Sequence, residues 1–488
     1  MRVTFPADPR KTTLPGRPRD SLPPPARPRG PVRRDQLLCA AVAVILLALI
    51  FALQPALNRR RAKLVYSSGQ GIGNLFLEFP RLTLGGFRGI LAMVLWENAE
   101  SDKNHRRWIP LETDYNAIAT LEPYFGSVYI YNAWNQSYNL SAQFHSMSAK
   151  YKWVLDGLVY LYKGEKFVPH NANMIMNEAN DFFLKLGTSF ERRYYCDRWR
   201  YDIAHLYRYN PKAVNPALST LAEVRYIVRR PQFKATLLPA RNGKGPLGHG
   251  LKINSLTYRY GISPFYFAWV EYRRALAQPQ KPTDMGREIL DSWPPMALRL
   301  WCRDDLYFAQ RLTYRIFSQP QAKMLRRFPA RVENIRDCYR NVRINAPRSI
   351  REFRIYLHKY PDQIPVHRQH VYEVRFYEAL GRAESMLFQG LVRWQVNHRR
   401  FRLGDAADRD LAAATGLYEK AIAAYHQYLD LAYPNQLNGM PNSALHRQIR
   451  YLRAMRARIR GIDNFRLTAA RHAPNLDFLA PQTLSYNN

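Results

Sequence analysis

The chain of 488 residues carries 73 Lys and Arg against 38 Asp and Glu, a formal charge of +35 with a pI near 10.2. Its 47% hydrophobic residues suffice for a sizeable core, with room for a membrane anchor and two or three domains or one long repeat array. Such a charge attracts polyanions: nucleic acid, anionic lipid headgroups or an acidic envelope polymer. The four cysteines, Cys39, Cys196, Cys302 and Cys338, include no C-x-x-C pair. That excludes zinc-ribbon and thioredoxin-like sites and reads as buried small hydrophobes, although a disulfide among the last three stays open.

Residues 1–36 hold nine Lys and Arg, three Asp and nine Pro, which reads as an extended, disordered tail. Residues 37–57, LLCAAVAVILLALIFALQPAL, carry no charged side chain. A helix of that length covers about 30 Å, the thickness of a bilayer's hydrocarbon, so the run is expected to be a retained single-pass transmembrane helix. The positive tail favours itself inside and the large remainder outside, while Arg59, Arg60, Arg61 and Lys63 pull the other way. Residues 58–83 read as a turn-rich linker, since Gly69, Gly71 and Gly73 are followed by Asn74 where a phosphate loop needs glycine.

From residue 84 the pattern is helical and nearly free of strand signals. Phe87, Ile90, Leu91, Val94 and Leu95 form one apolar stripe. Further helices are expected over 112–122, stopped by Pro123, over 125–140, over 150–164 and over 173–187. In 125–140, Phe125, Val128, Tyr129, Ala133 and Trp134 sit at core spacing, with Tyr131 and Tyr138 nearer the flanks. Rings in this stretch therefore read as packing, not as a base-stacking platform, because no Lys or Arg occurs from Asp114 to Ser141. The N-x-S triplets at Asn135 and Asn139 lie on that helix and read as chance matches to glycan acceptors.

Residues 84–240 are expected to form an N-terminal helical repeat unit, 241–262 a loop and boundary, 263–473 a C-terminal helical unit, and 474–488 a flexible tail. A helix start is expected at Pro294-Pro295. TGLYEKAIAAYHQYLDLAYPN, residues 415–435, looks like the second helix of a tetratricopeptide repeat, and REFRIYLHKYPD closes similarly at Pro361. The fold class expected is thus all-α, an N-terminal transmembrane helix followed by a degenerate tetratricopeptide-like helical-hairpin solenoid.

LGGFRGILAMVLWENAE, LEPYFGSVYIYNAWNQSYNLS and KYKWVLDGLVYLYKG together resemble a family of bacterial membrane-anchored, tetratricopeptide-like helical proteins of unestablished function. The resemblance covers about residues 82–200 and the preceding anchor. The chain departs from the expected L-Q-P word at Leu121-Glu122-Pro123. It implies a helical-repeat fold and a single span; with the orientation that the positive tail favours, the expected location is the bacterial inner membrane with the soluble part outside the cytoplasm. It carries over no catalytic residue and no cofactor.

Chemistry is sparse. His367, His370 and Glu373 would share one helical face, a geometry open to a divalent metal, yet the surroundings are Arg-rich and a solvated face is the simpler expectation. No nucleophile elbow, phosphate loop or paired carboxylates appear, so no catalytic residue is assigned. The strongest signal is RQIRYLRAMRARIRGIDNFR, where Arg447, Arg450, Arg453, Arg456, Arg458 and Arg460 recur at helical steps as an expected anion-binding face, opposite Ile449, Leu452, Met455 and Ile459. The expectation is a membrane-anchored scaffold that binds other proteins through its helical array. The rivals are a tethered binder of nucleic acid or anionic lipid, and an enzyme subunit with a site near 249–305 built on His249 and Asp304.

Overall fold

The periodic apolar stretches fold into helices, and the described residues contain no strand. The computed structural model describes residues 87–205, 220–233, 262–279, 287–317, 321–396, 403–433, 443–468 and 476–480, with positions 41, 42 and 45. The expected tail 1–36, the linker 58–83 and the loop 241–261 lie outside the described residues, as do the apolar run 37–57 apart from those three positions and most of 474–488. Among the described residues, no helix is long and apolar enough to cross a membrane. From Arg88 onward the chain forms one compact unit.

Its first half uses short helices. They are α1 (Phe87–Asn104), α2 (Trp108–Leu121), α3 (Gly126–Trp134), α4 (Met147–Gly164), α5 (Ala172–Asn180), α6 (Arg192–His205), α7 (Leu221–Val228) and α8 (Pro264–Ala277). Two of them run on as π-helix, α3 through Asn135–Leu140 and α5 through Asp181–Thr188. Local chemistry sets several ends. Asn171 caps α5, its side chain accepting from the Met174 N–H at 3.1 Å. Ser263 caps α8, with Pro264 at the first helical position where its missing N–H costs nothing.

The second half uses long ones: α9 (Arg287–Phe317), α10 (Gln321–Lys359), α11 (Ile364–Val396), α12 (Asp405–Ala432) and α13 (Ser443–Thr468). Each takes 26 to 39 residues, whereas a tetratricopeptide repeat fits two helices into about 34. Successive helices pack as hairpins. Between α11 and α12 the approach is close enough that a Cβ on Gly390 would lie 2.9 Å from the Leu411 side chain. On α12, Ala421, Tyr425 and Leu429 are buried as their spacing predicts.

Three apolar clusters fill the unit. One joins α1, α2 and α3; a second runs from Tyr151 to Trp301; the third runs from Cys302 to Leu479. Two expectations are corrected here. The 241–262 boundary does not divide two cores, because Phe265 and Phe267 of α8 pack with Phe182 and Phe183 of the π-helical turn. The junction is α9 instead, which gives Leu290–Trp301 to one cluster and Cys302–Phe317 to the next. Pro294 and Pro295 do not start a helix; they sit buried inside α9, where the Pro295 carbonyl accepts from Ser349 Oγ at 3.0 Å. Cys196, Cys302 and Cys338 are buried free thiols.

Candidate functional site

Helix α13 turns Leu452, Met455, Ile462 and Phe465 into the third cluster. The opposite face presents Arg450, Arg453, Arg456 and Arg460, all exposed and in one row. The Arg447 side chain lies outside the described ones. Arg458 is a correction to the expected anion-binding set. It is only 1% exposed, pairs with Glu384 at 3.1 Å and donates to the Leu479 carbonyl at 3.3 Å. Its position a third of a turn from the exposed row puts it over the core, where Glu384 of α11 supplies the counter-charge. Helix α10 adds a second basic row through Arg343, Arg351 and Arg354, exposed at helical steps.

His367, His370 and Glu373 do share a face of α11, with the two imidazole centroids 5.5 Å apart. A fourth residue occupies the space between them. Arg299 of α9 pairs with Glu373 and donates to His370 Nδ1 at 2.9 Å, while the Tyr377 hydroxyl also bonds Glu373. Burial, then Arg299, lowers the His370 imidazole to about 4. Against burial, Arg299 and His370 hold the Glu373 carboxyl well below the usual carboxylate range. The trio is an arginine-clamped ion pair, and among the described residues no group of three or more His, Cys, Asp or Glu is placed to hold a metal.

His249 lies outside the described residues. Asp304 is buried: Arg200 Nη2 donates to its Oδ2 at 2.5 Å and Ser263 Oγ does so at 2.6 Å. The same guanidinium reaches Asp305 Oδ1 at 2.6 Å, and Asn341 donates to the other oxygen at 3.1 Å. Burial pushes the Asp305 carboxyl up to about 6 against the pull of Arg200. One guanidinium thus ties α6, the cap of α8, α9 and, through Asn341, α10. Phe308, on which Arg200 stacks at 4.6 Å, also lines a cavity of about 270 Å³ between α6 and α9, walled by Tyr194, Arg198, Tyr201, Arg311 and Arg315. Two of its arginines are already neutralised, Arg198 by Asp202 at 3.0 Å and Arg311 by a fork onto Asp197. Only Arg315, exposed at the rim, is left to offer charge.

Sequence reasoning missed two buried polar clusters. In one, Glu165, Glu178 and Glu271 share Arg230 and Arg274, with Tyr162 and Gln232 each donating to Glu271 at 2.8 Å. Three carboxylates face two guanidiniums. Burial first, then Glu271 and Glu165, pushes the Glu178 carboxyl far up. In the other, Ser137 donates to Asp181 Oδ2 at 3.0 Å between the two π-helical turns. The available signal was a pair of acids, Glu178 and Asp181, three residues apart between the apolar groups Met174–Met176 and Phe182–Leu184.

The aromatic stretch divides. Tyr115, Val128, Tyr129 and Ala133 are buried, but Phe125 and Trp134, expected in the core, are exposed with Tyr124 and Tyr131. Asn135 and Ser137 are buried in the π-helical turn, and Asn135 donates to the Trp108 carbonyl at 3.3 Å. Compared with family models, curated proteins and solved structures, the chain matches none of them.

Proposed function

We propose that the chain is a membrane-attached helical scaffold that holds an acidic partner protein against its arginine-bearing helix faces. The observation that carries this reading is α13. Its apolar side is buried, while Arg450, Arg453, Arg456 and Arg460 stand in solvent with no ion pair to a described residue. Arginines that pack the fold, such as Arg200, Arg299 and Arg458, are distinguished by buried carboxylates at hydrogen-bond distance. The exposed row lacks such partners and so is available to a carboxylate-rich surface. Helices packed in chain order as hairpins suit a degenerate helical-hairpin solenoid with helices longer than those of a tetratricopeptide repeat, a fold that offers extended surface without chemistry of its own. Attachment is assigned to residues 37–57 as a single span of the bacterial inner membrane, with the unit from residue 84 outside the cytoplasm.

The test places a photo-crosslinking amino acid at position 453 of the full chain in cells. A protein adduct that disappears when Arg450, Arg456 and Arg460 are changed to Glu supports the scaffold. A nucleic-acid adduct, with affinity for an oligonucleotide that falls steeply between about 50 and 200 mM salt, replaces it with a polyanion binder. A C-terminal reporter active only in the cytoplasm would overturn the assigned orientation.

A further inference from the structure

From Gly89 to Trp96 helix α1 carries no charge, and most of that stretch faces outward. Only Ala92, Leu95 and Trp96 lean on the core, with Ala99 buried one turn further on. Ile90, Leu91, Met93 and Val94 are left in solvent, Met93 at 73% and Val94 at 52% exposure. Of the expected apolar stripe, Leu95 therefore meets the core while Ile90, Leu91 and Val94 do not. The charges of α1 lie at its edges: Arg88 is bound to Glu122 at 3.0 Å, and Glu97, Glu100, Asp102 and Lys103 occupy the later turns. Trp96 extends the surface sideways, its ring 5.6 Å from Phe125 and 5.5 Å from Tyr131, both exposed. The result is an aliphatic helix face rimmed by indole and phenol rings. A contiguous surface of this kind on a folded unit marks an interaction site.

We infer that this face seats in the interfacial layer of a lipid bilayer. Three observations select lipid as the occupant. First, α1 opens the compact unit, and the uncharged run 37–57 ends only 87 − 57 = 30 residues upstream. A chain of that length reaches at most about 100 Å, so a bilayer held by the run is always within range of this face. Second, Trp and Tyr, each with an apolar body and a polar tip, are the side chains enriched where bilayer meets water. Third, the acidic partner that suits the arginine rows finds nothing to pair with on this face, since no Lys or Arg occurs from Gly89 to Asp102 of α1, nor from Asp114 to Ser141, the stretch that supplies the neighbouring rings. Met93 and Val94 enter the acyl boundary, while the rings stay at headgroup level. The basic cluster Arg59 to Lys63 adds attraction to anionic headgroups.

This inference rests on the membrane attachment proposed above, and the test separates the two. The full chain is reconstituted in vesicles of phosphatidylcholine and phosphatidylglycerol with a photo-crosslinking amino acid at position 93, 94, 47 or 453. Lipid adducts at 93, 94 and 47 but not at 453 are expected. Changing Ile90 and Leu91 to Glu should abolish the adducts at 94 while sparing those at 47. Adducts at 47 with none at 93 and 94 overturn the docking face and leave the anchor standing. No adducts at 47 overturn the attachment itself. Protein adducts at 93, whether to a second copy or to another chain, overturn lipid as the occupant, and so do lipid adducts at 453 as strong as those at 93.

Discussion

Ser137 and Asp181 meet at 3.0 Å between two π-helical turns, with both residues buried. The contact depends on α4 passing close by: a Cβ on Gly157 would collide with Ser137 Oγ and stand 2.8 Å from the Ala133 carbonyl. Extra backbone width at a π-turn and the missing side chain at Gly157 are two halves of one packing solution. Gly157→Ala should therefore destabilise by about 1–3 kcal/mol, an overpacking cost measurable by urea unfolding.

Burial raises the Asp181 carboxyl to about 7, with Ser137 and Lys185 pulling it down. An unfolded Asp titrates near about 3.9. Between those values the native state holds a proton that the unfolded state lacks, so stability falls as pH rises through the window, by roughly 4 kcal/mol in all. Asp181→Asn removes that slope. Unfolding midpoints at about pH 5 and about pH 8 check it; a slope unchanged by the substitution would count against a protonated Asp181.

Arg458 and its exposed neighbours should behave oppositely although they alternate on one helix. Arg458→Met leaves Glu384 buried and unpaired and should cost about 3–5 kcal/mol. Arg453→Ala and Arg456→Ala should change stability by less than about 0.5 kcal/mol. Denaturant unfolding of the three variants distinguishes them, and equal losses would contradict the assigned faces.

Arg200 bridges two buried carboxylates with one positive charge. Arg200→Met should destabilise at neutral pH by about 3–5 kcal/mol. The loss should shrink on acidification, because Asp305, already raised to about 6, then takes up a proton. Adding Asp305→Asn to the Arg200 variant should restore part of the stability. A pH-independent loss would place the damage in packing alone.

The His367, His370 and Glu373 face predicts no response to metal. The imidazole of His370, lowered to about 4, is neutral near pH 7, and its Nδ1 accepts from Arg299. The obstacle is the Arg299 charge beside it, which repels a cation and occupies the carboxylate. Zinc or nickel ions should leave the melting temperature unchanged. A rise that vanishes when both histidines become Ala would overturn the ion-pair reading.

Much of the architecture is legible from local spacing. The helices expected over 112–122, 150–164 and 173–187 fall within or close to α2, α4 and α5 with its π-helical extension, and follow from three- and four-residue apolar steps and from Gly and Pro past their ends, because the α-helical period belongs to the backbone itself. The core positions of α12 follow the same way. Those features need only neighbours within a turn or two.

Tertiary structure alone decided which way the charged and apolar faces point. Arg458 carries the same local signature as Arg456, yet its carboxylate partner stands 458 − 384 = 74 residues earlier. Arg200 and Asp304 are 104 residues apart. The apolar stripe of α1 reads as core by period, but whether it is covered depends on which helices reach it, and they cover Leu95 with Ala92 and Ala99 while Ile90, Leu91 and Val94 stay in solvent. Periodicity fixes that a helix has two faces. Burial of either face is an interaction with distant chain, and the free energy of desolvating an arginine or exposing a methionine is set only when that chain arrives.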